Sequence, residues 1–175
     1  MSTTRTSRSP RRADPRLTER QIAVRLAHAE AHCRERGAQL TAQRAEVYEL
    51  LLRRQGSAKA YDLQHDLQQR RGRVAPTTIY RALEFLVEQG LVHRVDALSR
   101  FVACSHEPDE AEAHHPLFLV CSTCERTTEL HDDAALAALA RSLEAAGADF
   151  EQSAVEVKGL CRDCREHAHP SGETS

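Results

Sequence analysis

Four cysteines in two Cys-x-x-Cys pairs are the residues whose types and spacing most clearly indicate chemistry in this sequence. Cys121 and Cys124 form the first pair, and Cys161 and Cys164 form the second. Four thiolates can close a tetrahedron around one Zn²⁺ ion and leave no coordination position for water, as in structural zinc sites. The spacing therefore predicts a permanent zinc ion and requires residues 125–160 to fold back on themselves.

Two other interpretations of these cysteines stay open. The pairs can be buried thiols, or they can form a redox-active motif of the thioredoxin type. A redox motif is expected once, at the start of a helix that follows a strand, whereas this chain has two pairs, each at the end of a predicted strand. A thiol-redox switch would be recognised by exchange of zinc for disulfides under mild oxidant.

A second group of potential metal ligands surrounds a predicted domain junction. The candidates are His93, Cys104, His106, His114, His115, Glu129 and His131. A soft cysteine together with imidazole and carboxylate favours Zn²⁺ over Fe²⁺ or Mg²⁺. Ligands from two domains on one ion would fix the angle between those domains and so form a switch. For His106, and for His28 and His32 further upstream, we expect solvated side chains instead.

A catalytic zinc centre is the rival use of such ligands. It needs an open coordination position and a base that is not itself a ligand. The sequence contains no His-Glu-x-x-His, and no His-x-Glu next to a Pro-Cys-x-x-Cys. We therefore predict that the protein is not an enzyme.

The 175-residue chain is long enough for one domain or two small ones, and its charge is unevenly distributed. Its net charge is −2, yet residues 34–81 hold ten Lys/Arg against five Asp/Glu, and residues 104–156 hold two Arg against twelve Asp/Glu. Such asymmetry indicates that one half meets a polyanion. Without an export signal or an apolar run long enough for a membrane, six cysteines favour metal binding in the cytoplasm over disulfides.

The N-terminal part predicts helices followed by a β-hairpin. Residues 1–16 are rich in Ser, Thr, Pro and Arg and predict a disordered basic arm. The predicted helix starts are Thr18, Thr41, Ser57 and Pro76. Strands are expected at 91–95 and 100–104. This order predicts a winged helix-turn-helix over residues 17–104, whose last helix enters the DNA major groove.

Residues 116–166 predict a smaller α+β domain of two strands, a helix and a third strand over 150–157. The helix starts at Asp132-Asp133 and should bury Leu136, Leu139 and Leu143. A three-stranded sheet this small is expected to pair with a second copy, which predicts a homodimer. Residues 105–115 are predicted to be a hinge loop, and residues 167–175 a disordered tail.

Side chains for reading DNA are predicted on the fourth helix. Arg81 can bind guanine O6 and N7 together, and Tyr80 can contact a thymine methyl or a phosphate. The arginines suited to phosphates are Arg44, Arg70, Arg71 and Arg73. We expect Arg53 and Arg54 to be ordinary solvated charges. Because one helix reads only a few base pairs, a specific reader is expected to bind a two-fold operator as a dimer.

Several motifs resemble those of the ferric uptake regulator superfamily. They are Leu40–Arg44, Ala60–Leu63, Pro76–Leu83, Gly90–His93 and the two cysteine pairs, and they span roughly residues 18–165. Gln89–Val95, the cysteine at the end of the hairpin and Gly159–Cys161 are most similar to the zinc-uptake branch of that family.

The resemblance implies a homodimeric repressor that binds palindromic double-stranded DNA operators of zinc-uptake genes when loaded with zinc. It implies two Zn²⁺ ions per chain: a structural ion on the four paired cysteines, and a regulatory ion. The implied regulatory ligands are His93, Cys104, His114 and Glu129. The implied DNA contacts are Arg44, Tyr61, Thr77, Tyr80 and Arg81. No membrane or small-molecule partner other than zinc is expected.

The resemblance leaves two points open. His115 can take the place of His114, and with His131 it can form a further metal site. An iron- or peroxide-sensing regulator of the same family is the nearest alternative, although only two histidines stand where the iron-sensing branch has a longer cluster.

Overall fold

The computed structural model describes residues 17–105, 116–130, 132–148 and 154–168. The predicted arm over 1–16, most of the predicted hinge and the end of the predicted tail lie outside these residues. So do four of the candidate metal ligands, which are His106, His114, His115 and His131.

Four helices build most of the N-terminal domain. They are α1 (Glu19–Glu35), α2 (Ala42–Arg53), α3 (Ala60–Arg71) and α4 (Pro76–Glu88). Thr18 and Gln21 form the predicted capping box at the start of α1. Thr41 caps α2 by accepting from the Arg44 N–H, and Pro76 lies in the first turn of α4, where a missing N–H costs little.

The third helix begins later than the sequence predicted. Ser57 does not cap it, because Ser57 and Ala58 form the short strand β1 (Ser57–Ala58), which pairs antiparallel with Val102 and Phe101. Lys59 takes the N-cap position, and its N–H donates to Asp62. The partner strand lies more than forty residues away, so the local pattern around Ser57 could not reveal the pairing.

The predicted hairpin is present and completes a winged helix-turn-helix. It consists of β2 (Val92–Val95), a 3₁₀ turn (Asp96–Leu98) and β3 (Arg100–Ala103). The strand order in this sheet is β1-β3-β2, with antiparallel pairing throughout. We call the β2–β3 hairpin the wing.

The C-terminal domain has the predicted strand–strand–helix–strand order. Its elements are β4 (Leu117–Cys121), β5 (Thr127–Leu130), α5 (Asp133–Ala145), β6 (Val155–Gly159) and α6 (Arg162–Ala168). The strand order is β5-β4-β6, with β4 antiparallel to β5 and parallel to β6. Asp132 caps α5 through the Ala135 N–H, as predicted. The sequence did not predict α6, which continues past 167, where the tail was expected to start.

Two apolar clusters hold these elements together. The larger lies among α1–α4, where Leu51, Leu63 and Leu83 are fully buried. In the smaller cluster, the wing residues Val95 and Val102 pack against Phe118 and Val120 of β4, so the wing lies on the C-terminal sheet.

Two burial predictions were wrong. His32 was expected to be solvated, but it is buried, with Nε2 2.9 Å from the Gln89 carbonyl oxygen at the end of α4. Leu139 was expected on the inner face of α5, but it is 36% exposed, whereas Leu136 is buried. In the first case α4 supplies a polar partner that the α1 pattern did not show. In the second, only Leu136 of the two leucines is shielded from solvent, although both belong to the apolar stripe of α5.

No helix in the described part of the chain combines the length and apolar character needed to cross a membrane.

Candidate functional site

The first candidate metal centre lies where two parallel strands end. Cys121 is the last residue of β4, and Cys161 follows β6 by two residues. The register of this parallel pair places Cys121 opposite Gly159. Both strands therefore deliver a cysteine pair to the same edge of the sheet, with Cys124 in the turn after β4 and Cys164 in the first turn of α6.

The distances in this cluster fit zinc. The four Sγ atoms lie within 4.8 Å of one another, and Cys124 Sγ is 3.7 Å from Cys161 Sγ. Zinc–sulfur bonds of about 2.3 Å in a tetrahedron place sulfurs about 3.8 Å apart, whereas a disulfide needs about 2 Å. All six cysteines lie in the described residues and are free thiols. The predicted four-cysteine cluster is therefore present in a geometry suited to a closed tetrahedral ion.

The backbone prepares one of these thiols for a cation. Burial raises the pKa of the Cys121 thiol, but N–H groups of Cys161, Cys124 and Thr123 stabilise its thiolate and bring that pKa down to about 6. The hydrogen bond with Cys161 raises the pKa of Cys164 to about 12. Cys121 is thus charged before a metal arrives, whereas Cys164 must release a proton, so metal affinity is expected to fall in acid.

A salt bridge joins the segments that carry the two pairs. Arg126 follows Cys124 by two residues, and its Nη1 lies 2.8 Å from Oδ2 of Asp163, which stands between Cys161 and Cys164. Neither Arg126 nor Asp163 was among the predicted site residues. The available signal was their opposite charges, one just after the first cysteine pair and one inside the second.

The second candidate metal centre lies between the two domains. His93 of β2, Cys104 just after β3 and Glu129 of β5 have ligand atoms within 4.8 Å of one another. The His93 Nε2 and Glu129 Oε1 atoms are 3.7 Å apart, and the side chains are 12% and 5% exposed. The Cys104 residue is buried as well. The structure thus brings together three of the four predicted regulatory ligands, and His114 lies outside the described residues.

Strand pairing within each domain positions these three side chains. Pairing of β2 with β3 sets His93 opposite Val102, two residues before Cys104. Pairing of β4 with β5 sets Glu129 opposite Phe118, whose ring lies 5.6 Å from the His93 ring. Imidazole nitrogen, thiolate and carboxylate are all zinc ligands. Three of them, drawn from both domains and largely shielded from solvent, suit an ion that joins the domains.

Ser105, which the sequence did not single out, contacts one of the candidate ligands. Its backbone N–H and its hydroxyl donate to the same oxygen of Glu129, at 3.1 and 2.7 Å. Both bonds fix one carboxylate oxygen of a candidate ligand, as the outer partners of metal-binding carboxylates do. A lone serine after Cys104 carries no signal of this role.

Four of the five predicted DNA-contacting residues have exposed side chains. Thr77, Tyr80 and Arg81 of α4 are exposed, with Tyr80 at 51%. Tyr61, in the first turn of α3, is 75% exposed. The opposite face of α4 is buried in the core, as predicted. Large exposed tyrosines beside an arginine suit contact with bases and phosphates.

Arg44 has a packing role that the sequence did not indicate. Its guanidinium lies 3.6 Å from the centroid of the Phe85 ring, and its Nη1 donates to the Gln39 carbonyl at 2.7 Å. Such cation–π packing orders the start of α2 against α4. A phosphate contact by Arg44 stays a prediction.

Several other arginines are paired with carboxylates. Arg53 and Arg54 were expected to be solvated. Instead, Arg53 forms salt bridges with Glu19 and Glu49, and Arg54 forms one with Asp66. Arg70 and Arg71, expected to face phosphates, lie near acidic residues of α2, and Arg71 is 2.6 Å from Glu46. The sequence could not show these pairs because most join different helices.

A winged helix-turn-helix joined to a cysteine-clustered α+β domain, with one candidate metal centre between them, defines a metal-responsive DNA-binding regulator. The model of the ferric uptake regulator family matches residues 35–158. The chain belongs to the ferric uptake regulator family.

Individual relatives agree with this assignment. The chain is 34% identical to the zinc uptake regulation protein of Escherichia coli (strain K12) over 141 aligned residues. The aligned region covers 81% of this chain and 81% of that protein. It resembles the structure of a zinc uptake regulator complexed with zinc and DNA, with 31% identity, a TM-score of 0.75 and coverage of 84% of this chain and 97% of that one. It also resembles a crystal structure of holo XcZur, with 35% identity, a TM-score of 0.70 and coverage of 82% and 98%.

Proposed function

We propose that this protein is a zinc-responsive transcriptional repressor of zinc-uptake genes, which binds palindromic operators as a homodimer when loaded with zinc. The observation that carries the proposal is the cluster of His93, Cys104 and Glu129 at the junction between the domains, where their ligand atoms lie within 4.8 Å of one another. The relatives named zinc uptake regulators support the choice of zinc over iron.

Two zinc ions per chain follow from this proposal. Cys121, Cys124, Cys161 and Cys164 would hold a permanent structural ion, because four thiolates leave no exchangeable position. The junction residues, with His114 as a fourth ligand, would hold the exchangeable ion. His115 and His131 are candidates for an alternative ligand or a further site.

Metal binding at the junction would set the orientation of the DNA-binding domain relative to the C-terminal domain. His93 and Cys104 belong to the wing and its end, whereas Glu129 belongs to the C-terminal sheet. The three side chains would hold a zinc ion together. That shared ligation would set one angle between the wing, with α4, and the C-terminal domain, and so one spacing between the two α4 helices of a dimer.

The exposed surface of α4 is the proposed reader. Arg81 and Tyr80 would contact base edges, and Thr77, Tyr61 and Arg44 would contact the backbone. Neutralisation of phosphates predicts that binding weakens steeply with salt. Acting on chromosomal operators, the protein would work in the cytoplasm without catalysing a reaction.

Replacement of Cys104 by serine tests this proposal. A serine hydroxyl is a poor zinc ligand, so Cys104→Ser should keep the structural ion and its dimeric state but lose the zinc dependence of DNA binding. Binding to an operator selected from random duplexes by the zinc-loaded parent, measured by fluorescence anisotropy across buffered free zinc, gives the readout.

Arg81→Ala is the matched control for this experiment. It should bind both zinc ions like the parent and bind DNA weakly at every zinc concentration, because it lacks only the base contact. Normal zinc-dependent binding by Cys104→Ser would contradict the regulatory site. Tighter DNA binding with Fe²⁺ than with Zn²⁺ would favour the iron-sensing alternative.

A further inference from the structure

Arg25 of α1 reaches the main chain at the metal junction. Its Nη1 donates to the carbonyl of Cys104 at 2.8 Å, and its Nη2 lies 3.4 Å from the carbonyl of Ser105. One planar guanidinium thus spans two successive carbonyls, 79 and 80 residues further along the chain. A fork of parallel N–H groups fixes an acceptor pair in direction as well as in distance.

The clamped segment carries one candidate ligand and holds a second. Cys104 supplies its own sulfur, and its N–H donates to the Leu91 carbonyl at 3.0 Å. Ser105 donates its N–H and its hydroxyl to Glu129. The position of these two residues therefore decides where both the Cys104 thiolate and the Glu129 carboxylate stand.

Arg25 also lies near a buried tyrosine of the helical core. Tyr48 of α2 is buried, which raises the pKa of its phenol, and the nearby Arg25 guanidinium opposes this rise. Arg25 itself is half-buried. A partly buried, hydrogen-bonded arginine has fewer alternative rotamers than a solvated one, so it can fix the main chain that it contacts.

We propose that Arg25 is the positioning residue of the junction metal site, and that it ties α1 to the ligands through the Cys104–Ser105 main chain. This inference rests on the proposed function, because it concerns the exchangeable zinc ion. It assigns a part in the response to zinc to α1, which holds none of the candidate metal ligands or predicted DNA contacts.

Two substitutions of Arg25 separate the effect of its paired N–H donors from the effect of its positive charge. Arg25→Gln removes both, whereas Arg25→Lys keeps the charge but loses the planar pair of donors. Both variants should weaken zinc binding at the junction by about tenfold, the low end for residues that orient metal ligands. Arg20→Gln, on the same helix and exposed, is the matched control and should change nothing.

Zinc affinity is measured on the full-length protein with the four-cysteine site filled, by titration against a competing chelator. Co²⁺ is then used in place of zinc, because its visible bands report thiolate ligation and coordination geometry. Altered bands for Arg25→Lys are expected if the ligands are misplaced, whereas general loss of stability would leave the bands of the folded fraction unchanged.

A third measurement needs no metal at the junction. Hydrogen exchange at the Ser105 amide, in protein that carries only the structural ion, should accelerate in both Arg25 variants and not in Arg20→Gln. Ser105→Ala gives an independent test, since it removes one of the two bonds to Glu129 without touching the helical core. It should weaken zinc binding less than Arg25→Gln does.

The outcomes distinguish this inference from the function on which it rests. If the parent binds an exchangeable zinc that controls DNA binding but Arg25→Lys binds it equally well with unchanged Co²⁺ bands, Arg25 has no positioning role. If the parent has no exchangeable zinc, both the proposed function and the role of Arg25 are wrong. Should Arg25→Gln fail to fold, Arg25→Lys and Ser105→Ala decide the matter.

Discussion

At the scale of single residues, arginine–carboxylate salt bridges link the first three helices to one another. Arg54 at the end of α2 binds Asp66 of α3 through two nitrogens, at 2.5 and 2.8 Å. Arg53 similarly reaches Glu19 of α1. Because each pair joins two helices and keeps a planar geometry, it restrains their relative position, although partial exposure limits its energy.

Asp66→Asn should lower the free energy of unfolding by about 0.5–1 kcal/mol at pH 7, a value reduced by solvent screening. The Arg54 guanidinium holds the pKa of Asp66 below its ordinary value of 3.8. The stabilisation is therefore complete above that value and is lost as the pH falls through the lower, folded-state pKa. Parent and variant should differ in urea unfolding at pH 7 and converge in stronger acid.

Comparison at equal pH removes the effect of zinc loss, which both proteins share. Glu30→Gln, an exposed change in α1, serves as the control and should stay within about 0.5 kcal/mol of the parent at each pH. A difference at pH 7 that grew on acidification would be incompatible with a depressed Asp66 pKa.

At the scale of elements, the cysteine cluster depends on the parallel pairing of β4 and β6. The Ser122 N–H donates to the Gly159 carbonyl at 2.8 Å, which continues the sheet into the first cysteine turn. The Arg126–Asp163 salt bridge then ties the start of β5 to α6. The cluster is thus assembled by main chain and salt bridge around the four ligands, rather than by a large core.

Asp163→Asn should speed the removal of the structural zinc ion by a chelator by about tenfold, because it weakens the link between the two cysteine segments. Zinc release followed with a chromophoric chelator gives the rate. Arg162→Gln is the adjacent control, since Arg162 pairs with Glu166 along the same helix and is largely exposed. Equal rates for the two variants would show that the salt bridge has no part in metal retention.

At the scale of the whole molecule, the wing is bound to the C-terminal sheet by more than the candidate metal ligands. Glu156 of β6 accepts from the N–H groups of Asp96 and Ala97 at the wing turn, at 2.6 and 2.9 Å. Beside them, Val95 and Val102 pack on Phe118 of β4. The two domains therefore share an interface that favours one orientation before the junction ion adds its own restraint.

Glu156→Gln should weaken operator binding by about fivefold at saturating zinc, because the amide keeps one oxygen acceptor and loses the other, and a typical hydrogen bond contributes about 1 kcal/mol. Its structural zinc should be unchanged. Faster hydrogen exchange at the Asp96 and Ala97 amides would show the release of the wing turn directly. Lys158→Gln, an exposed change on the same strand, is the control. If both amides exchanged as slowly as in the parent, Glu156 would not be what holds the wing turn against the C-terminal sheet.

The sequence by itself determined the chemistry and most of the elements. Cysteine spacing specified the four-thiol cluster, Thr18 and Thr41 specified helix starts, and the apolar period of α4 specified its exposed Tyr80 and Arg81. These features are local, because caps and helical faces depend on residues a few positions apart.

Only the tertiary structure decided which distant groups meet. His32 is buried because α4 offers it the Gln89 carbonyl, and Ser57 is a strand residue because β3 lies beside it. The junction of His93, Cys104 and Glu129, and the reach of Arg25 to Cys104, likewise depend on how separate elements pack. A local pattern fixes which side chains are available, but contacts across tens of residues arise only when the chain is folded, and the orientation of the domains depends on those contacts.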